Sequence, residues 1–333
     1  MQNDLIVVES QPACYLCGHA GERLYNGLED YLFGAPGKWS FKKCSNMDCG
    51  HIWLDPAPTR DNIHKVYQNY YTHGQPSSVQ YTLAARIIRS IFHPVSIRLL
   101  RMRHERNRYK YMYLDRVPAG RLLEVGCGNG KRLVRFKDLG WEVMGQEVDD
   151  LAATHVRKTH KIDVHLGSLQ TLPQDIEKFD VVIMSHVIEH VHDPIALLRT
   201  CHHFLKENGV LVVMTPNAAS YGHQKFGKFW RGLEPPRHLH LFTCKTLVQV
   251  VISAGFKRQV CWTVAVGANG IGQGSQRPAL RTASGSRIFT VRDILRGIWF
   301  QIAAKLILRK AEDSGEECVL MAYKQCYNNL SQH

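Results

Sequence analysis

Residues 121–131 read RLLEVGCGNGK. An apolar run closes on an acid, Glu124, and glycines follow at Gly126, Gly128 and Gly130. Glycine at such a turn permits positive φ and a close approach of the backbone to a ligand. A dinucleotide fingerprint needs G-x-G-x-x-G, but Lys131 stands where the last glycine belongs. No Gly-Lys-Ser/Thr follows at the spacing of a nucleotide phosphate loop. A carboxylate at the strand end would repel a pyrophosphate. It suits a cofactor that carries an ammonium group. Glu147, 23 residues beyond Glu124, closes the next strand. There it can accept hydrogen bonds from both hydroxyls of a ribose.

Outward from this turn the chain alternates strand and helix. RLLEVG (121–126), WEVMGQEV (141–148), DVHLGS (163–168), FDVVIMS (179–185) and VLVVMTP (210–216) read as five strands. FDVVIMS is apolar on both faces, as a buried parallel strand should be. Helices are expected over 131–140, 150–160, 194–209 and 246–255, the first closed by Gly140. FKRQVCWTVAV (256–266) and ECVLMAYK (317–324) supply a sixth and a seventh strand. The pattern predicts an α/β fold, a Rossmann-like doubly wound sheet of seven strands with the last antiparallel. Residues 267–312 form an insertion, a Gly/Ser/Arg linker followed by a basic helix striped by Ile294, Ile298, Ile302 and Leu306.

The acid-x-G-x-G-x-G turn, FDVVIMSHVIEHVHDP (179–194) and GVLVVMTPN (209–217), in that order, resemble class I S-adenosylmethionine-dependent methyltransferases. The resemblance spans roughly residues 118–266 and the last strand. It implies that the glycine turn packs on the methionyl part of the cofactor, with Glu124 near its amino group and Glu147 on the ribose. It puts Ser168 and Leu169 where the family often carries an acid or amide near the adenine. Ser185, at the end of the fourth strand, completes the expected cofactor set.

Four of the ten cysteines cluster as Cys14-x2-Cys17 and, 26 residues later, Cys44-x4-Cys49. Two such pairs fit a tetrahedral thiolate zinc site. Four thiolates leave no open position, so the expected Zn2+ is structural. His19 and His51 are reserve ligands. The expected organisation is a zinc-ribbon unit at 12–54, a linker and basic helical segment at 55–117, and a methyltransferase domain at 118–327. Zinc unit, DPAPT linker and methyltransferase in that order are similar to a group of bacterial methyltransferases. Some of these act on sugars in surface-polysaccharide or natural-product pathways. The C-methylating ones are longer, with a further C-terminal domain. The resemblance therefore implies a hydroxyl of a sugar, glycan or other small molecule as acceptor, nucleotide- or lipid-linked.

The formal charge is +13, concentrated in two segments. Residues 81–110 hold eight Lys/Arg against one Glu, and 277–312 hold eight against two acids. Basic segments suit anionic partners. A membrane surface contacted through 288–310 is one, and nucleic acid is another. The N-terminus has no basic, apolar leader, and no apolar run reaches the ~20 residues of a membrane span. A cytoplasmic protein, with peripheral membrane association through 288–310, is expected. In 81–117, Leu83, Ile87, Ile88 and Ile91 recur at helical spacing, and Pro94 should break or kink the helix.

The ligand crevice of an open α/β sheet lies at the carboxyl ends of its strands. His186 follows the fourth strand there. His190, four residues on, would share its helix face, a spacing that also suits a metal, with capping or packing as its plainer role. LEPPRHLHLFT (233–243) carries His238 and His240, which share a face if extended. Neutral imidazole is the natural base near pH 7, so His186, His238 and His240 are the candidate bases for methyl transfer to a hydroxyl. Tyr221, Phe229 and Trp230 are candidate walls of the acceptor pocket or parts of a lid. The competing readings are a nucleic-acid methyltransferase and a non-catalytic interaction protein of the same fold. The first lacks an N/D-P-P-Y/F at the fourth strand.

Overall fold

The computed structural model describes residues 6–67, 80–275 and 288–325. The N-terminal part contains β1 (Val8–Glu9), β2 (Gly21–Leu28), β3 (Trp39–Cys44), β4 (Ile52–Leu54) and β5 (Ala57–Pro58). Next come β6 (Gln80–Tyr81), α1 (Leu83–Leu99) and α2 (Arg103–Lys110). The alternating region runs β7 (Arg121–Val125), α3 (Lys131–Lys137), β8 (Glu142–Glu147), α4 (Asp150–His155), β9 (Asp163–Leu166), β10 (Phe179–Ser185), α5 (Pro194–Phe204) and β11 (Leu205–Pro216). It continues through α6 (Tyr221–Phe226), β12 (His240–Leu241), α7 (Cys244–Ser253), β13 (Arg258–Val264), α8 (Ala268–Gly274), β14 (Ile288–Phe289), α9 (Val291–Leu308) and β15 (Glu317–Tyr323).

Seven strands form one sheet in the order β13-β15-β11-β10-β7-β8-β9. β15 is antiparallel to both of its neighbours, and the other pairings are parallel. The expected fold is therefore present. Successive residues of β10 feed opposite faces. Val182 and Met184 pack with α5 and α7, while Val181 and Ile183 pack with Leu133, Phe136 and Ala153.

Some boundaries differ from expectation. The helix predicted over 194–209 stops at Phe204, because Leu205 turns extended and pairs with Phe179. α1 runs through Pro94 without ending. A proline removes one helical hydrogen bond, and the packing of Ala85 and Ile88 against Ile294 and Ile298 of α9 holds the helix in place. The insertion opens with helix α8 rather than a linker, and 276–287 lie outside the described residues. The two basic segments, separate in sequence, meet in space: β6 pairs with β14 and α1 packs on α9.

The N-terminal unit is not a separate body. β12 adds to its sheet, giving the order β12-β4-β3-β2. Leu28, Trp39, Phe41 and Leu54 share one core with Trp230, Leu233 and Leu239. Nor is 117 a clean boundary, since Met112, Tyr113 and Leu114 are buried in the core beneath α3.

Candidate functional site

Gly126, Gly128 and Gly130 have φ of +66°, +52° and +72°. A Cβ on Gly126 would lie 2.6 Å from Val187 Cγ2, so that glycine is needed for packing. A Cβ on Gly128 would meet nothing within 4 Å. Gly128 therefore offers an open cradle where a ligand can come against the backbone.

Two acids flank that cradle. Glu147 is buried; its Oε2 accepts from Gly128 N at 2.7 Å and its Oε1 from Val148 N at 2.8 Å. Glu124 is 2 % exposed. Arg132 Nη1 donates to its Oε1 at 2.7 Å, and its buried Oε2 has no hydrogen-bond partner. Burial pushes the Glu124 carboxyl up to about 7, against the pull of Arg132 and with the negative Glu147 adding to the rise. A buried, half-satisfied carboxylate beside an open glycine backbone fits an ammonium-bearing cofactor. Ser168 is exposed at the end of β9, whereas the Leu169 side chain lies in the hydrophobic core. Ser185 is half-buried at the end of β10.

The chain leaves β10 through His186, whose φ is +56°. His186 stands between two carboxylates, with Nε2 2.8 Å from Glu317 Oε1 and Nδ1 3.3 Å from Glu189 Oε1. Desolvation opposes its charging, but the bonds to Glu189 and Glu317 prevail and raise its pKa to about 10. Both ring nitrogens of His186, the first candidate base, thus face carboxylates, which favour its charged form over the neutral imidazole a base requires. Glu189, despite burial, is held down to about 2 by His186 and by the neighbouring His190 and His238. Glu317 also accepts from Tyr109 Oη at 2.9 Å.

His238 and His240 do not share a face of one site. His238 is buried, with Nδ1 2.8 Å from the Gly232 carbonyl and its ring packed edge-on against His190. His240 turns to the N-terminal sheet, where its Nδ1 meets His51 Nε2 at 3.1 Å and its ring faces Tyr15 and Phe242. Burial pulls His240 down to about 4. It therefore packs against the N-terminal sheet, away from His238. His190, likewise pulled down by burial to about 4, has Nδ1 near the Arg237 carbonyl and the Tyr67 hydroxyl.

The loop carrying His238 is fastened from several sides. Leu239 N donates to the Glu189 carbonyl at 2.8 Å, and Leu54 N of β4 donates to the Leu239 carbonyl at 3.0 Å. Arg237 is fully buried and bonds both Asp30 oxygens, at 2.8 and 2.9 Å. Glu234 Oε1 and the Val66 carbonyl take further bonds from it. Trp230 stacks on His223 and Tyr221 on Phe300. Phe229 and Trp230 line a cavity of about 50 Å³ together with Leu28 and Asp30. These aromatics thus pack between α9 and the N-terminal sheet instead of walling the crevice at the ends of the strands.

Cys14, Cys17, Cys44 and Cys49 bring their sulfurs within 4.8 Å of one another. The Cys14–Cys49 and Cys17–Cys44 separations are 3.6 and 3.4 Å. A tetrahedral site with Zn–S of about 2.3 Å spaces its sulfurs about 3.8 Å apart, so the donor set fits a tetrahedral thiophilic ion. Cys244, Cys261 and Cys318, far apart in sequence, also meet. Reading the sequence also missed Glu189 and Glu317. Glu189 was visible beside His190 but had no assigned partner, and Glu317 joins the site only because β15 inserts next to β11.

Residues 97–259 match a family model described as a methyltransferase domain. The chain is 30 % identical over 154 residues to a "probable S-adenosylmethionine-dependent methyltransferase" of Mycolicibacterium smegmatis, covering 46 % of this chain and 58 % of the relative. It is 35 % identical over 102 residues to a ubiquinone biosynthesis O-methyltransferase of Ruegeria pomeroyi, covering 29 % of this chain and 41 % of that one. A solved S-adenosylmethionine-dependent methyltransferase of Thermotoga maritima aligns over 72 % of this chain and 99 % of its own, at 19 % identity and a TM-score of 0.44. The chain thus spans about half the length of the curated relatives it matches. Over residues 97–259 the chain is thus similar to S-adenosylmethionine-dependent methyltransferases.

Proposed function

We propose that this chain transfers a methyl group from S-adenosylmethionine to a hydroxyl of a lipid-linked acceptor, with a glycan as the acceptor class that its four-cysteine unit suggests. The cofactor supplies an electrophilic methyl on a sulfonium. Glu124 would hold its ammonium, Glu147 its ribose hydroxyls, and Gly128 would admit it to the backbone. The protein's remaining work is to align the acceptor and remove its proton. Of the three candidate histidines, His238 fits that role, since its Nδ1 is tied to a carbonyl and its Nε2 keeps a lone pair. The O-methyltransferases among the relatives favour oxygen as the methylated atom.

The exposed side of α1 and α9 carries the acceptor reading. Leu83, Ile87, Ile91, Val95 and Leu99 recur every four residues and are all exposed, Leu83 at 73 % and Leu99 at 77 %. On α9, Leu295, Leu306 and Trp299 (69 %) are exposed as well. Arg86, Arg89, Arg98, Arg292 and Arg309 are exposed among them. Apolar side chains bordered by arginines suit an anionic lipid surface. Among the described residues no helix is long and apolar enough to cross a membrane. The protein should co-sediment with anionic vesicles and not with zwitterionic ones. A double variant, Ile87→Glu with Ile91→Glu, should weaken this by at least about 100-fold, given ~1.5–3 kcal/mol per buried aliphatic side chain. Failure of the parent chain to co-sediment would remove the lipid-linked acceptor.

We assign the four thiolates to a structural Zn2+. It would fasten the β2–β4 sheet, which β12 extends and through which Leu54 holds Leu239. The cofactor reading is tested by calorimetric titration with S-adenosylhomocysteine, with NADH as control. Micromolar binding is expected. Glu147→Ala should weaken it about 10- to 100-fold, as hydrogen bonds to a charged group are worth about 1.5–3 kcal/mol. A folded protein that does not bind would overturn the reading.

A further inference from the structure

Glu189, His190 and His238 each place one ligand atom within 4.8 Å of the others. They come from the turn after β10 and from the loop before β12, so no single motif announces them. Each imidazole has Nδ1 against a backbone carbonyl: Arg237 O at 3.1 Å for His190 and Gly232 O at 2.8 Å for His238. A carbonyl only accepts, so Nδ1 of His238 carries the proton and its Nε2 keeps the lone pair; Nδ1 of His190, which also meets the Tyr67 hydroxyl at 3.0 Å, donates to its carbonyl when Nε2 is the ligand. This is the outer support that metal-ligating histidines normally have. Glu189 is 1 % exposed. Its Oε2 accepts from Thr215 Oγ1 at 2.9 Å, while its Oε1 faces His186 Nδ1 at 3.3 Å and has no hydrogen bond.

Two imidazoles and one carboxylate form a donor set for a first-row divalent transition metal, and a poor one for a hard, all-oxygen cation. We propose that Glu189, His190 and His238 bind a divalent transition-metal cation, distinct from the four-thiolate ion. Three protein ligands leave a coordination position open. This inference deepens the methyltransferase reading and rests on it, because the open position would take the acceptor hydroxyl. A cation on His238 Nε2 uses the lone pair that a base would need. In the cation-bound protein His238 would therefore be a ligand in place of the base proposed above, and the cation would acidify the bound hydroxyl so that its proton leaves to water.

The test is a Co2+ titration of the full-length, metal-stripped protein, followed by absorption and by metal analysis. Thiolate ligation gives intense sulfur-to-cobalt bands in the near ultraviolet, and a nitrogen–oxygen site gives only weak visible bands. Two equivalents are expected, one with the thiolate bands and one without. Glu189→Gln and, separately, His238→Gln should each bind one equivalent with the thiolate bands intact. A single equivalent in the parent chain overturns the proposal, as does a second equivalent that survives both substitutions. If circular dichroism shows that Glu189→Gln does not fold, His238→Gln decides alone. Titrating the same samples with S-adenosylhomocysteine separates the two claims: failure of the cofactor reading abolishes that binding without altering the metal count.

Discussion

Arg237→Ala should cost the fold about 3–5 kcal/mol, the usual loss when one partner of a buried ion pair is removed. The guanidinium is fully buried and forked onto both oxygens of Asp30, with Glu234 on its Nε and Phe33 beneath its plane. Truncation leaves the buried Asp30 and half-buried Glu234 carboxylates without their cation. Lysine would not replace it, since a point charge cannot make the two-pronged contact. The damage should also reach the site. Arg237 lends its carbonyl to His190 and precedes His238, so both lose their alignment with Glu189. Denaturant unfolding of the parent chain and variant measures the effect, and a loss below about 1 kcal/mol would show that solvent already reaches the pair.

Arg237 also shows where the sequence stops informing. In RHLHLFT it reads as a charge on an exposed loop beside two equivalent histidines. What buries it is Asp30, more than two hundred residues earlier, which the fold brings across. The same long-range step separates His238 from His240, because pairing of β12 with β4 delivers His240 to His51. The glycine turn, the flanking acids and the succession of strands along the chain were legible because their determinants are local: backbone conformation, strand-end chemistry and runs of apolar residues. The pairing of His186 was not, because it depends on Glu317, contributed by the last strand. The four-cysteine cluster was legible from spacing alone. Its consequence for the site was not, since it acts through a sheet completed by β12.

Glu124 should impose a steep pH dependence on cofactor affinity. Burial raises its carboxyl from an ordinary 4.5 to about 7 in the unliganded protein. For the fold alone, a raised carboxyl contributes stability that is fully present below 4.5 and lost as pH climbs through about 7. Binding runs the other way. An ammonium group needs the carboxylate, so affinity should be flat above pH 8 and fall about tenfold per unit below 7, reaching about 100-fold at pH 5. Arg132 keeps Oε1 throughout and leaves Oε2 to the ligand. Glu124→Gln separates this effect from any general acid sensitivity. The amide cannot ionise, so binding should be weak at every pH and the slope should vanish. The measurement is S-adenosylhomocysteine affinity at half-unit steps from pH 5 to 8.5, with folding checked at each step. A slope that persists in Glu124→Gln would assign the titration to another group. A flat profile in the parent chain would mean that the ammonium is held elsewhere.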